Sequence, residues 1–297
     1  MQLKKYSTKS LEMQSDKEYF LDVNHNPVFL NIDSSLSYNR LRSGDDISIS
    51  RLSELNFFFA NYFGCKNATF LDFSPSSICA FLEEIVPKNT ILAASVKLSY
   101  FCIEGLKLYA AKQNKLLWIE AEKSGSLSKK SIERAREGGA ELFFCSLVDE
   151  DTFFIEDTKL FSEYFDTNKC IFDISNAINH VKIPKFFAAI AWGHKLSSFK
   201  KSGLAIYNES KSLLLDNIDL IAYEHFFRAF NQNISTSKKE LKTSFIDGLL
   251  QNLGSDVYFY VEPKKCLGNS VCVGFRGVRA RDFIRALAIE GIYVTNG

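Results

Sequence analysis

The 297-residue sequence lacks both an excess of charge of one sign and a long apolar stretch. Its formal net charge of +1 provides no general electrostatic attraction for nucleic acid or for an anionic membrane. No apolar run reaches the roughly 18 residues that a membrane-spanning helix needs. Residues 1–6 have a basic flank but no apolar stretch behind it, unlike a secretory signal. We therefore expect a cytoplasmic protein that has neither nucleic acid nor membrane as a partner.

The sequence is also poor in metal-ligand patterns. It has four histidines and no C-x-x-C pair, so we expect no metal site. The seven cysteines are odd in number and lie mostly in apolar runs, which indicates reduced core thiols rather than a disulfide framework. Cys266 follows two lysines, and the sequence predicts that it alone is an exposed thiol in electropositive surroundings.

What the chain does have is an alternation of apolar runs and helical segments. Strand-like runs lie at 68–73, 90–94, 116–119, 140–147, 170–174, 188–192 and 203–207. Helix-like segments lie at 51–62, 77–86, 99–113, 127–137 and 156–167, and residues 33–50 are predicted to form a loop. Strands without polar alternation that alternate with helices predict a mostly parallel sheet between helices, an α/β fold.

Three parts are predicted along the chain. Residues 1–45 form an N-terminal arm with a short strand, and residues 46–212 form a large α/β domain. Residues 213–297 form a small α+β domain that reads as incomplete. Its predicted helices are 213–230, 237–253 and 279–290, and its predicted strands are 256–262, 270–275 and 291–294.

An acid and a lysine each follow a buried strand. Asp173 comes directly after the apolar residues 170–172, and Lys195 follows the run at 188–192. The carboxyl ends of such strands meet in the crevice where open α/β sheets bind ligands. Pyridoxal 5'-phosphate (PLP) uses this pair of groups, because a lysine amine forms a Schiff base with it and a carboxylate keeps its pyridine nitrogen protonated. The pair therefore predicts a PLP site.

Four motifs occur in an order that is similar to a known family. They are Phe20-Leu21-Asp22, Ser74-Pro75-Ser76-Ser77, Asp173-x-x-Asn176 and Trp192-Gly193-His194-Lys195. From about residue 20 to 297 the sequence resembles the class V aminotransferase family of fold-type I PLP enzymes, in particular NifS-like cysteine desulfurases and selenocysteine lyases. The resemblance implies the fold type I architecture of aspartate aminotransferase-like proteins, with a smaller C-terminal domain.

The resemblance implies a role for each residue of the acid and lysine motifs. Lys195 is the Schiff-base lysine and proton shuttle, and Asp173 is the partner of the pyridine nitrogen. His194 contacts the phosphate, and Asn176 replaces the glutamine that bonds the ring hydroxyl. The alternatives are a surface lysine, a strand-capping acid and a turn histidine.

Further positions are assigned in the same way. Ser76 and Ser77 bind phosphate at a helix N-terminus, where free N–H groups and the helix dipole favour anions, or they cap the helix. Tyr100 stacks on the ring or packs in the core. Asp149 touches the ring or the substrate.

The sequence also departs from the family. Trp192 replaces a phosphate-binding serine, and Pro75 replaces a glycine. The resemblance implies that residues 291–297 match the strand just before the desulfurase cysteine loop, so the given sequence ends where that loop would begin, and that none of the seven cysteines matches the catalytic one.

The expected function is removal of sulfur or selenium from cysteine or selenocysteine to give alanine. The partners expected are a small amino-acid substrate, a second copy of the chain in a homodimer and a sulfur-acceptor protein. The alternatives are a class V aminotransferase or lyase without a catalytic cysteine, and a degenerate paralogue that serves as a non-catalytic partner subunit.

Overall fold

The computed structural model describes residues 19–20, 46–112, 114–209, 218–232 and 239–294. Its helices are α1 (Asp46–Phe63), α2 (Pro75–Ile85), α3 (Tyr100–Ala111), α4 (Lys129–Glu137), α5 (Thr158–Tyr164), α6 (Leu220–Gln232), α7 (Lys239–Leu253) and α8 (Ala280–Ile289). Its strands are β1 (Tyr19–Phe20), β2 (Asn67–Phe70), β3 (Ile91–Ser95), β4 (Leu116–Ile119), β5 (Ala140–Ser146), β6 (Cys170–Asp173), β7 (Ala188–Trp192), β8 (Gly203–Tyr207), β9 (Val257–Phe259), β10 (Val273–Phe275) and β11 (Ile292–Tyr293).

The main sheet has seven strands in the order β2-β8-β7-β6-β5-β3-β4. Neighbouring strands from β7 across to β4 are parallel, whereas β8 is antiparallel to both β7 and β2. Every residue of β6 and β7 is buried, as continuous apolar runs in a sheet covered on both faces require. The predicted mostly parallel α/β sheet is confirmed.

Helices cover the two faces of this sheet. Phe143 and Phe172 belong to a core that includes residues of α1, α4, α5 and α6. Their neighbours Phe144 and Ile171 point to the opposite face, in a second core with α2 and α3. Because successive strand residues alternate between faces, each strand supplies both cores, and the sheet lies between two helical layers.

Several predicted boundaries are wrong by three residues or more, and two lie near the candidate site or at the start of the sheet. Residues 46–50 were expected in a loop, but they form the first turns of α1, because serine and aspartate are frequent both in loops and at helix starts. The strand predicted at 68–73 ends at Phe70 as β2. Leu71 and Phe73 still donate N–H bonds, to the carbonyls of Gly203 (3.0 Å) and Lys201 (2.8 Å).

The remaining strands form two small sheets. β9 pairs antiparallel with β10, and β1 pairs parallel with β11. Most of the arm at 1–45 and the boundary at 212 lie outside the described residues, so the three-part division stays a prediction. Within the described ranges, no helix is both long and apolar enough to cross a membrane, and no cluster of metal-ligating side chains is found.

His225 on α6 is a buried histidine that weakens the fold at acid pH. Neither ring nitrogen has a hydrogen-bond partner among the described residues, and the Phe199 ring packs 4.6 Å away. Burial, helped by the charge of Arg228 and opposed by Glu224 and Asp219, lowers the pKa of His225. As pH falls through the ordinary histidine range, the unfolded chain takes up this proton and the folded chain does not, so stability falls.

We expect His225→Phe to remove part of that acid sensitivity and to add about 1 kcal/mol of stability near neutral pH, because two buried unpaired polar atoms disappear. Urea unfolding at about pH 7.5 and about pH 5.5, on either side of the unfolded histidine pKa, measures both effects. If the free energy of unfolding changes between the two pH values by the same amount in the variant as in the wild type, this account of His225 is contradicted.

Candidate functional site

The sheet topology brings all eight predicted site residues to one edge. β2, β3, β5, β6 and β7 run in the same direction, so the segments that follow them open at the same edge, where α/β sheets bind ligands. Ser76 and Ser77 follow β2, Tyr100 follows β3, Asp149 follows β5, Asp173 and Asn176 lie at and after the end of β6, and His194 and Lys195 follow β7. Their roles toward a cofactor stay predictions.

Lys195 lies in a 3₁₀ turn, Gly193–Leu196, directly after β7. Its Nζ is 2.9 Å from Oε1 of Glu150, and its side chain is only 4% exposed. On another side, Nζ is 5.3 Å from the centroid of the Trp192 ring. The turn is close-packed, because a Cβ on Gly193 would lie 2.2 Å from Oγ of Ser202. The lysine side chain is therefore buried beside an acid partner and is not a surface residue.

Asp173 ends β6 and is 3% exposed. Its Oδ1 accepts hydrogen bonds from the backbone N of Ser175 (2.9 Å) and from the Ser175 hydroxyl. Its Oδ2 has the Cys102 thiol 3.8 Å away. Burial, with a contribution from the charge of Glu150, raises the pKa of Asp173 to about 6, and the Ser175 donors and Lys195 oppose the rise. A cation placed at Oδ2 would stabilise this carboxylate.

Ser175 joins the strand of the acid to the strand of the lysine. Its hydroxyl donates to Asp173 and accepts the backbone N–H of Trp192, the last residue of β7, at 2.8 Å. The sequence reasoning missed this residue. The signal was present, because an aspartate followed two positions later by serine is a common side-chain-bonded turn.

Trp192 forms an aromatic wall beside Lys195. Its ring is stacked on Phe73 (centroids 5.2 Å apart, 6° between planes) and meets the edge of Phe101 at 5.2 Å. Its Nε1 donates to the carbonyl of Lys200, and the half-buried His194 ring lies 5.1 Å away. An indole fixed on several sides thus occupies the position at which the resemblance to class V aminotransferases implies a phosphate-binding serine.

Tyr100 is the first residue of α3 and is 71% exposed. The alternative that it packs in the core is therefore wrong. Its ring lies 5.8 Å from that of Phe101. Phe101, which the sequence reasoning missed, is the residue of α3 whose ring contacts Trp192.

The serine turn before α2 is held by its own hydroxyls. Ser74 caps the helix, since its Oγ accepts the N–H of Ser77 at 3.4 Å and its hydroxyl donates to Ser77 Oγ at 3.0 Å. Ser76 is exposed, with its Oγ 3.3 Å from that of Ser74. The helix begins at Pro75, so capping is performed by Ser74 rather than by Ser76 or Ser77. Phosphate binding at this N-terminus stays a prediction.

Asp149 organises the loop after β5. Its Oδ1 accepts from the backbone N–H groups of Asp151 (3.0 Å) and Thr152 (2.7 Å) and from the Thr152 hydroxyl (2.8 Å). Its Oδ2 is 3.6 Å from Nζ of Lys97. Asp149 thereby presents Glu150, which the sequence reasoning missed because nothing local marks it as the partner of a lysine on another loop. Asn176 is half-buried in the turn after β6.

The cysteines of the chain are unfavourably placed for nucleophilic chemistry. The expectation that Cys266 is exposed is wrong, since it is 4% exposed and lies 3.6 Å from the carbonyl of Glu262. Burial raises the pKa of all seven thiols, and a thiol held neutral is a poor nucleophile.

Comparison with known proteins gives matches in structure alone. No family model matches the chain, and no curated protein matches it. A NifS-like protein matches with a TM-score of 0.77 at 15% identity, over 94% of this chain and 88% of that chain. A cysteine desulfurase from Thermococcus onnurineus NA1 matches with a TM-score of 0.71 at 15% identity, over 93% and 83% of the two chains. An alanine–glyoxylate aminotransferase from Nostoc sp. matches with a TM-score of 0.72 at 12% identity, over 100% and 89%.

At such identities the likeness concerns the fold. It covers nearly all of this chain and more than four fifths of each of the three solved chains. The chain therefore has the fold type I architecture predicted from its sequence, the fold of NifS-like proteins, cysteine desulfurases and class V aminotransferases.

Proposed function

We propose that this protein binds PLP and acts through Lys195 on the amino group of an amino acid. The observation that carries the proposal is a buried lysine amine and a buried carboxylate at the same edge of two adjacent parallel strands, β6 and β7. The fold shared with enzymes that use PLP supports it.

The residues present fit PLP in their chemistry. Asp173 is a buried carboxylate whose pKa burial raises to about 6 and whose Oδ2 faces a weak donor, the thiol of Cys102. A protonated pyridine nitrogen is a better partner for that oxygen. The N-terminus of α2, with the exposed Ser76, would hold the phosphate. When bound, PLP supplies an aldehyde carbon for amines and a ring that accepts electrons.

The chain's own residues would divide the work as follows. Lys195 would hold the cofactor through Nζ and would move a proton at the α-carbon of the substrate. Asp173 would keep the ring nitrogen protonated through its negative charge. The stacked rings of Trp192 and Phe73 exclude water from the side of the lysine, which strengthens these charge interactions.

Desulfuration of cysteine to alanine is the reaction that the family resemblance favours, in a homodimer that passes sulfur to an acceptor protein. Such a reaction needs a thiolate to receive the sulfur. Because burial raises the pKa of all seven thiols, an aminotransferase or lyase reaction that needs no cysteine is the second candidate. Release of sulfide from cysteine, compared with transfer of amino groups to a keto acid, distinguishes the two.

Borohydride trapping tests the proposal itself. Protein incubated with PLP and then reduced is expected to carry a phosphopyridoxyl group on Lys195, found by peptide mass spectrometry. Lys195→Ala is expected to lose that group, whereas Lys200→Ala, which removes an exposed lysine of the same segment, keeps it. Labelling spread over surface lysines, with none at Lys195, would contradict the proposal and would favour the degenerate partner subunit.

A further inference from the structure

Lys242 on α7 is a half-buried lysine whose ammonium group is bound by backbone carbonyls. Its Nζ donates to the carbonyls of Pro263 (2.6 Å), Leu267 (2.8 Å) and Cys266 (3.4 Å). Hydrogen bonds from a charged donor are stronger than those between neutral groups. Lys242 therefore fixes the segment 263–267 to α7 at three points.

This segment lies alongside the loop that follows β5, which carries Glu150. The backbone N–H of Leu267 donates to the carbonyl of Phe153 at 3.0 Å, and the backbone N–H of Ile155 donates to the carbonyl of Lys265 at 2.8 Å. Two such bonds in opposite directions join the two stretches as in a pair of antiparallel strands. The position of the loop therefore depends on the position of the segment.

The bond from Leu267 acts at a strained point of the loop. Phe153 has a φ of +58°, a conformation that is unfavourable for a bulky residue and persists only where the surrounding structure enforces it. Its N–H donates to the carbonyl of Asp149 at 3.1 Å, and its carbonyl accepts the bond from Leu267. Phe153 is thus held between the segment and Asp149, which directly precedes Glu150.

A single peptide group connects the ammonium group to this strained point. The carbonyl of Cys266 faces Nζ of Lys242, and the N–H of the same peptide group, which is that of Leu267, donates to Phe153. A positive charge at the carbonyl polarises the group and strengthens the bond that its N–H donates. Hydrogen bonds therefore connect Lys242 to Asp149 without interruption.

We propose that Lys242 is a positioning residue of the Lys195 site, which keeps Glu150 beside Lys195 by holding the segment 263–267 against the loop after β5. Glu150 and Lys195 are the pair at 2.9 Å described above. The position of the loop is a property of the protein alone, whereas any consequence for a reaction with PLP rests on the function proposed above.

Amide hydrogen exchange without PLP tests whether Lys242 holds the loop. Peptides that cover 149–156 are expected to exchange about tenfold faster in Lys242→Met than in the wild type, since a hydrogen bond from a charged group contributes about that factor or more to an equilibrium. Exchange in β5, which lies in the core of the sheet, should not change. A role in global stability alone would speed exchange in both places.

Cross-linking with a carbodiimide tests whether Glu150 stays beside Lys195. The reagent activates a carboxylate, and an amine in contact with it then forms an amide bond that mass spectrometry detects. Less of the Lys195–Glu150 cross-link is expected in Lys242→Met. The cross-link between Lys112 and Glu83, an exposed pair 2.7 Å apart, is the internal reference.

Matched variants separate this role from others. Lys242→Arg keeps a charged donor and is expected to restore both readouts toward the wild type, and Lys242→Gln, with a neutral donor, should lie between Lys242→Arg and Lys242→Met. Lys264→Met removes an exposed lysine of the same segment and should change neither readout. Wild-type values in Lys242→Met, or equally faster exchange in β5, would overturn the proposal. If both readouts change as expected but borohydride traps no PLP on Lys195, only the proposed function fails.

Discussion

Replacing Lys97 with methionine is expected to lower the free energy of unfolding by about 3–5 kcal/mol, the cost of leaving a buried charge without its partner. Nζ of Lys97 pairs with Glu156 and lies 3.6 Å from Asp149, and both carboxylates are buried. It also donates to the carbonyl of Gly125 and lies 4.7 Å from the Phe154 ring centroid. The variant therefore leaves two buried carboxylates and one backbone carbonyl without their cationic partner.

The loss should depend on pH in a defined direction. Burial raises the pKa of Glu156, and Lys97 opposes that rise. Without Lys97 the folded-state pKa rises further, so the folded protein binds a proton that the unfolded chain has released. Stability is then lost as pH rises, and the deficit of the variant is largest at neutral and alkaline pH and smaller in acid.

Guanidinium unfolding at several pH values measures both effects. Lys112→Met is the matched control, because it breaks an exposed pair with Glu83 and such pairs contribute about 0–1 kcal/mol. Lys97→Met combined with Glu156→Gln should recover part of the loss, since one stranded charge is gone. Equal losses in Lys97→Met and Lys112→Met would show that the buried cluster contributes no more than a surface pair.

Asp173→Asn is expected to stabilise the protein without ligand and to weaken its binding of PLP. Burial raises the pKa of Asp173 from 3.8 to about 6, so the folded protein binds more protons than the unfolded chain between these values. Stability therefore falls as pH rises through this window, and the ionised side chain costs up to about 3 kcal/mol near neutral pH. Asparagine has no charge to bury and keeps an oxygen for Ser175.

The same substitution is expected to weaken the binding of PLP, although it stabilises the protein without PLP. A hydrogen bond between two charged groups is worth about 1.5–3 kcal/mol, which corresponds to a roughly 10–150-fold weaker affinity for PLP. Thermal unfolding without PLP, together with a PLP titration followed by absorbance, measures the two changes on one preparation. Asp157→Asn, at an exposed helix cap, should change neither. A variant that is less stable without PLP, or that binds PLP as tightly as the wild type, would contradict the placement of this carboxylate.

The sequence was sufficient to predict the buried sheet and the edge of the sheet at which the loops of the candidate site lie. Uninterrupted apolar runs such as 170–174 and 188–192 have no polar face, so burial on both sides was the consistent solution, and the structure has it. The direction of β8 was beyond this reasoning, because an apolar strand of five residues reads the same in either direction. Its antiparallel pairing with β7 agrees with the ten residues between them, 193–202, which contain no α-helix and are fewer than the dozen or more that a parallel crossover needs.

The positions of Asp173 and Lys195 could be predicted from the sequence alone, because Asp173 ends a buried strand, Lys195 lies in the turn after the next one, and the strands dictate where these residues lie. Their surroundings were decided only by the tertiary structure. Glu150 reaches Lys195 from another loop at 2.9 Å, Ser175 bonds across to Trp192 at 2.8 Å, and Phe73 stacks on Trp192 at 5.2 Å. Each contact joins residues distant in the chain, and its geometry depends on how the loops pack together, which no local pattern encodes.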